Sequence, residues 1–264
     1  MMKPAGRPRR LPAHCPKPKS MKTTAARYLV TAASWMLSSC VLSAPFNLYL
    51  DEFEGGKIKA HHQQTFIEYM ANNNCQLTIT DKANHAQIML AMDNTKPKTF
   101  NPWLTASTYQ DTPLSLSVVV KSSRGLDNLA QLTGERIAIV HSLAQMGFLN
   151  EIGDLNAQGL DLNSSDVFES GRYDGALALL LHGDVFAAVL PTPLAMQWQT
   201  KNKLSLLANS TTQQRPYLAI HESIPLARED AKQCEQAFLT LNENSKKAGL
   251  LSVFPLWVEG FEIR

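Results

Sequence analysis

Apolar positions follow two rhythms along this chain: alternation or unbroken runs where strands are expected, and spacing near 3.6 where helices are expected. Phe46-Asn47-Leu48-Tyr49-Leu50 reads as a short strand ending at Asp51-Glu52. Beyond the breaker Gly55-Gly56, Ile58, His62, Phe66, Tyr69 and Met70 recur at helical spacing until Asn72-Asn73-Asn74 stops them. Gln76 to Thr80 alternates as a second strand. Ala86 to Met92 is a continuous apolar run, the mark of a strand buried on both faces.

The middle repeats this alternation. Leu114 to Val120 predicts a β-branched strand, Leu126 to Leu132 a short helix, and Ile137 to Val140 a buried strand. After His141-Ser142 a helix is expected from about Leu143 to Ile152. A brief strand at Val167-Phe168, a helix from Arg172 to Leu181 ended by Gly183, and a strand from Val185 to Leu190 follow. Pro191-Thr192-Pro193 opens a helix holding Leu194, Met196 and Trp198. Pro216 to Ile220 is one more strand, and a long amphipathic helix is expected from about Ala227 to Lys247. Strands alternating with helices of about ten residues predict an α/β protein with parallel sheets. With no Pro/Ser-rich linker, a second domain must be joined by the strands themselves.

The 264 residues are 44% hydrophobic and 18% charged, enough for a large core. Charge is unevenly placed. Residues 1–43 hold eight of the 25 Lys+Arg and none of the 23 Asp+Glu. The remainder therefore carries 17 basic against 23 acidic residues, a net of −6. That balance excludes a general nucleic-acid binder, which needs a basic face to displace counterions. Residues 1–20, with five prolines and six basic residues, have no apolar periodicity. Met21 offers a second start beside Met1: basic Lys22 and Arg27, an apolar stretch from Tyr28 to Leu37, then small residues, the plan of a secretory signal peptide. The run 28–44 is short and serine-rich for a membrane span, which takes about 20 apolar residues. Two processing routes stay open. Val41-Leu42-Ser43 suits cleavage before Ala44, giving the favoured soluble product, and Leu37-Ser38-Ser39-Cys40 resembles a lipobox that would place a lipid anchor on Cys40. Export brings an oxidising compartment, where Cys75 and Cys234 either bridge or stay as buried thiols.

No catalytic signature stands out. The chain lacks Gly-x-Gly-x-x-Gly, a phosphate-binding Gly-Lys-Ser/Thr loop, Gly-x-Ser-x-Gly and His-Glu-x-x-His. His61 and His62 are adjacent, so on a helix they point roughly 100° apart and cannot share a metal. No metal, no cofactor and no catalytic residue is therefore expected. The turn after Ile137–Val140 is more promising, because a helix start presents free N–H groups and a dipole to an anionic or polar group. The dipole contributes only about 0.3–1 kcal/mol at an exposed site, so several such starts must converge on one ligand.

The order Ser117-Val118-Val119-Val120-Lys121, Leu126-Asp127-Asn128-Leu129 and Leu132 to Val140 resembles the central stretch of the phosphate/phosphonate-binding family of ABC-transporter periplasmic solute-binding proteins. Ser170 to Ala178, Leu181 to Val189, and Leu250 to Trp257 with Gly260-Phe261 are similar to its later segments. The resemblance implies a type II periplasmic-binding-protein fold, two α/β lobes joined by two crossing hinge strands. Lobe 1 is expected at 46–115 plus 222–264, lobe 2 at 122–215, and the hinge strands at 116–121 and 216–221. It also implies a ligand-binding cleft at strand ends. Tyr49 and Glu52 come from the first strand end; Ser107 and Tyr109, with Trp103, precede the first crossing. Ser142, Gln145 and Tyr173 come from lobe 2, Thr192 caps a helix, and Arg124, just past the crossing, could pair with a carboxylate or phosphate. The family's hydroxyl-rich loop here reads His141-Ser142-Leu143-Ala144-Gln145-Met146-Gly147, which keeps only Ser142 and Gln145 as side-chain partners. Tyr173 stands where the family has a histidine, and about Pro191 where it has an acid. Those changes favour a larger, less charged solute than phosphonate.

The expected function is thus a non-enzymatic, monomeric periplasmic protein that captures a small polar or anionic solute for an ABC permease. A sensor input protein for a membrane signalling partner is the alternative, and an enzyme on the same fold a remote third.

Overall fold

The computed structural model describes residues 44–50, 58–93, 98–140, 148–160 and 166–264. Six strands form the first sheet. β1 (Phe46–Tyr49) lies between β2 (Leu77–Thr80) and β3 (Ile88–Met92), parallel to both. β10 (Pro216–His221) runs antiparallel to β3 and to β4 (Phe100–Thr108), and β11 (Val258–Ile263) closes the far edge against β4. Across the sheet the order is β11-β4-β10-β3-β1-β2.

The second sheet repeats the plan in the order β7-β6-β8-β5-β9. Here β6 (Arg136–Val140) is the parallel centre between β7 (Asp166–Ser170) and β8 (Ala187–Pro191). Antiparallel β5 (Leu116–Lys121) separates β8 from β9 (Leu204–Asn209). Five of the six residues of β5 are buried, Ser117 among them, as fits an interior strand covered on both faces.

Helices cover the sheets where their apolar stripes dictate. In lobe 1, α1 (Ala60–Asn72) buries Phe66 and Met70, and α5 (Glu229–Leu239) buries Ala231, Cys234, Ala237 and Phe238. Phe66, Phe238, Phe254 and Phe261 meet edge-on or tilted, with centroids 5.0–6.3 Å apart. A disulfide joins Cys75, just past α1, to Cys234 on α5 across 159 residues of sequence. In lobe 2, α3 (Tyr173–His182) packs on β5 to β8, and α4 (Thr192–Asn202) on β5, β8 and β9. Gly183 ends α3 with φ 91°, the left-handed conformation that glycine adopts without strain.

The structure departs from several expectations. The strands expected as hinges belong to the sheets: β5 to the second, β10 to the first. The chain passes between the lobes in the segments 109–115 and 210–215, which pair through Leu114 and Gln214 (N–H to O=C 3.0 and 2.7 Å). The long helix is two, because Asn242 leaves the helix after α5 and caps α6 (Glu243–Lys247) by accepting from the amides of Asn244 and Ser245. The helix expected at 126–132 is only a 3-10 turn at Leu129–Leu132. α2 spans Leu149–Ala157, later than the expected start, and residues 141–147 lie outside the described residues. β4, β9 and β11 had no strand expectation: β4 carries Pro102, and all three mix polar residues without strict alternation.

Candidate functional site

Strand register fixes where a ligand can bind. In the first sheet Met92, ending parallel β3, faces Pro216, where β10 begins. In the second sheet Pro191, ending parallel β8, faces Leu116, where β5 begins, and Asn209, ending β9, faces Ser117. Both crossings therefore leave each sheet at the edge where its parallel strands end. The carboxyl ends of both parallel sets face one junction, the place where α/β sheets bind ligands.

A cavity of about 170 Å³ opens beside the two crossings, against the β4–β11 edge of the first sheet. β4 supplies Ser107, the first crossing Asp111 and Thr112, the second Gln214 and Arg215, and β11 Glu262. The lining thus combines one guanidinium, two carboxylates, hydroxyls and an amide. Arg215 can give a carboxylate or phosphonate two parallel hydrogen bonds.

The expected residues divide among several settings. Ser107 lines the cavity, and Tyr109 follows in a half-exposed 3-10 turn, its hydroxyl 3.4 Å from Gln110 Nε2. Tyr49 ends β1 half-buried, beside a small apolar cluster with Tyr217 and Met89. Tyr173 begins α3 fully buried in the main core. Thr192 begins α4, and its Oγ1 lies 2.6 Å from Ser115 Oγ and 2.7 Å from Ser117 Oγ, which itself reaches Asn209 Oδ1 at 2.6 Å. This buried hydroxyl chain fastens α4 to β5 and β9. Glu52, Ser142 and Gln145 lie outside the described residues. Trp103 belongs to the core, donating from its indole to Glu235 at 3.0 Å and meeting Phe238 edge-on. Arg124 stacks 3.5 Å over Phe186 and donates to the Val185 carbonyl, away from the crossings. Among the described residues no group of three His, Cys, Asp or Glu could hold a metal ion.

Sequence reasoning missed Asp111, Gln214 and Arg215. They sit in crossings without periodicity, and only their place between the sheets marks them. Asp174, at the start of α3, is held below the ordinary carboxylate range, first by its hydrogen bonds from Arg172. Asp154 is lowered first by hydrogen bonds from Thr212 and Thr211.

Two α/β lobes of matching strand order, joined by two crossings at the ends of their parallel strands, make this a two-lobed periplasmic binding protein of the type II fold. Residues 44–263 match the family described as the periplasmic substrate-binding protein of phosphonate ABC transporters, and the chain belongs to that family. No curated protein matches it. Among solved structures, PhnD1 from Prochlorococcus marinus in complex with methylphosphonate is 12% identical, with 83% of this chain and 92% of that one covered and a TM-score of 0.55. A binding-protein component of a phosphonate ABC transporter from Pseudomonas aeruginosa is 10% identical over 84% and 82% of the two chains, TM-score 0.56. A Xanthomonas citri protein bound to chloride ion is 12% identical over 84% and 92%, TM-score 0.51. At such identities the likeness speaks for the fold, while the family match speaks for the class of protein.

Proposed function

We propose that this chain captures one small polar or anionic solute between its lobes in the periplasm and presents the closed form to an ABC permease. The supporting observation is the register, which turns the ends of two parallel strand sets toward the crossings; a cavity beside those crossings holds Arg215 with Ser107 and Thr112. The hinge lies within segments 109–115 and 210–215, because they are the two connections between the sheets. Tyr49, Ser107 and Tyr109 approach the solute from lobe 1; Ser142 and Gln145 remain candidates by sequence alone. Arg215 faces the negative group, and Asp111 and Glu262 favour a solute that also carries a donor or a cation. This mixed charge, with a loop poor in hydroxyls, suits a solute less charged than a phosphonate dianion. The segment before residue 44 serves as an export signal, and the product works as a monomer.

A thermal-shift panel of phosphate, methylphosphonate, amino acids and organic acids tests this. A true ligand at one hundred times its Kd stabilises by about 2.7 kcal/mol, a rise of about 5–10 °C for a chain of this size. A panel in which no solute raises the melting temperature overturns the proposal.

A further inference from the structure

Three contacts on one stripe of α2 fasten that helix to the end of β9 and the second crossing. Gln214 Nε2 donates to Glu151 Oε1 at 2.5 Å. Thr211 Oγ1 and the Thr212 amide donate to Asp154 Oδ2 at 2.8 and 2.6 Å. Gln158 Nε2 donates to the Asn209 carbonyl at 2.9 Å. Positions 151, 154 and 158 are three and four apart, so they share one helix face. Segment 209–214 consequently moves with the second lobe.

The innermost of these contacts differs from the others. Glu151 is fully buried, Gln214 is buried beside it, and Glu151 Oε2 has no hydrogen-bond partner. Burial acts most strongly on this carboxyl and raises its proton affinity. Gln214 and the backbone of Glu151 lower it, and the like charge of Asp154 raises it further. Among the described residues no lysine, arginine or histidine acts on it, whether from α2 or from the crossing. A carboxylate there would be a buried charge with one bare oxygen and no counter-ion, a state proteins avoid by keeping the proton.

We propose that Glu151 is held as the neutral carboxylic acid at neutral pH and is a positioning residue, whose protonated form fixes the first turn of α2 to the crossing between the lobes. Losing that proton leaves the Gln214 hydrogen bond in place but buries an uncompensated charge at the joint, which lowers the stability of the folded chain. The protonation stands on the burial and contacts of Glu151 alone and is independent of the reading given under Proposed function.

The sign follows from linkage. A carboxyl that holds its proton more tightly in the folded than in the unfolded chain takes up a proton on folding. Its stabilising effect is complete below the ordinary value of 4.5 and is lost as pH rises from there through the raised folded value. Within that window the folding constant falls by about tenfold per pH unit. Asp154, lowered from 3.8, acts oppositely and at lower pH, its contribution lost as pH falls.

The test compares urea unfolding of the full chain and of Glu151→Gln from pH 5 to 9. The amide keeps an acceptor for Gln214 and has no proton to lose. The expected result is a wild-type folding constant that falls relative to the variant as pH rises, by about tenfold per unit inside the window. A ratio constant with pH overturns the proposal. Should the variant not fold, infrared spectra of wild type carrying ¹³C-labelled glutamate decide: a protonated carboxyl band at pH 7 supports the proposal, and its absence overturns it. No solute enters either measurement, so failure here leaves the binding function standing.

Discussion

Breaking the Cys75–Cys234 bridge should destabilise the whole molecule while sparing the second lobe from local loss. The two cysteines are 159 residues apart, and the loop they close encloses β2 through β10, including all of lobe 2. In the chain-entropy picture a cross-link over that length removes about 5 kcal/mol of disorder from the unfolded chain, with measured bridges nearer 2–5 kcal/mol. With a urea slope of about 2–3 kcal/mol/M, the midpoint of Cys75→Ala/Cys234→Ala should fall by about 1–2 M. The slope should rise, because the open chain exposes more surface. Both cysteines lie in lobe 1, on the α1 end and on α5. When only lobe 2 unfolds, folded lobe 1 already holds the loop closed, and the bridge adds nothing. Hydrogen exchange of the variant should therefore accelerate at amides of α1 and α5 that open only in global unfolding, and stay unchanged at amides of α3 that open with lobe 2 alone. A midpoint shift under about 0.5 M would refute the loop-closure reasoning.

Three further outcomes follow from single positions. Gly260 sits in β11 where an added Cβ would lie 2.5 Å from the Leu241 carbonyl and 3.1 Å from Ser107 Oγ. Gly260→Ala should cost about 1–3 kcal/mol and lower the melting temperature by several degrees; an unchanged melt would show that the α5–α6 turn yields freely. Asn242→Ala removes the side chain that caps α6 through Asn244 and Ser245, at about 1 kcal/mol, and Asn242→Asp should restore most of it, measured by urea unfolding. Arg215 is exposed on the cavity wall, so Arg215→Gln should leave the melt in place while weakening an anionic solute by about ten- to hundredfold in calorimetry; equal affinity would remove Arg215 from the site.

Legibility in the sequence followed burial. β1, β3, β4, β5, β6, β8 and β10 are the interior strands, and the apolar runs of β3 and β8 and the Val118–Val120 run of β5 exposed those three without any structure. β9 and β11 stayed hidden as edge strands whose polar residues break the pattern, and interior β4 stayed hidden because Asn101, Pro102 and its threonines and serine interrupt the apolar positions. The same physics displaced the hinge. A strand such as Leu116–Lys121 reads as a connection when only chain order is known, yet five buried residues in six require neighbours on both edges, which β8 and β9 provide. At the site, Ser107 was reachable from the resemblance, while Arg215 and Asp111 belong to short aperiodic crossings whose meaning lies in which sheets they join.

The matched strand orders also explain why one junction can serve as a binding site. In each lobe an antiparallel strand flanks the parallel trio on its third member, β10 beside β3 and β5 beside β8. A crossing attached to that antiparallel strand must start at the carboxyl edge of the trio, because antiparallel pairing sets its beginning against their ends. Two such lobes joined by two crossings are obliged to face each other across those edges. The hydrogen bonds of Thr192, Glu151 and Asp154 then decide which pieces move together. The Ser115–Thr192–Ser117 chain makes α4 and β5 one unit, and the α2 stripe adds segment 209–214 to the same lobe. Asp111 to Pro113 and Gln214 to Pro216, one stretch from each crossing, line the cavity. In the function proposed above, closure and solute contact therefore fall on the same few residues, Asp111, Thr112 and Arg215.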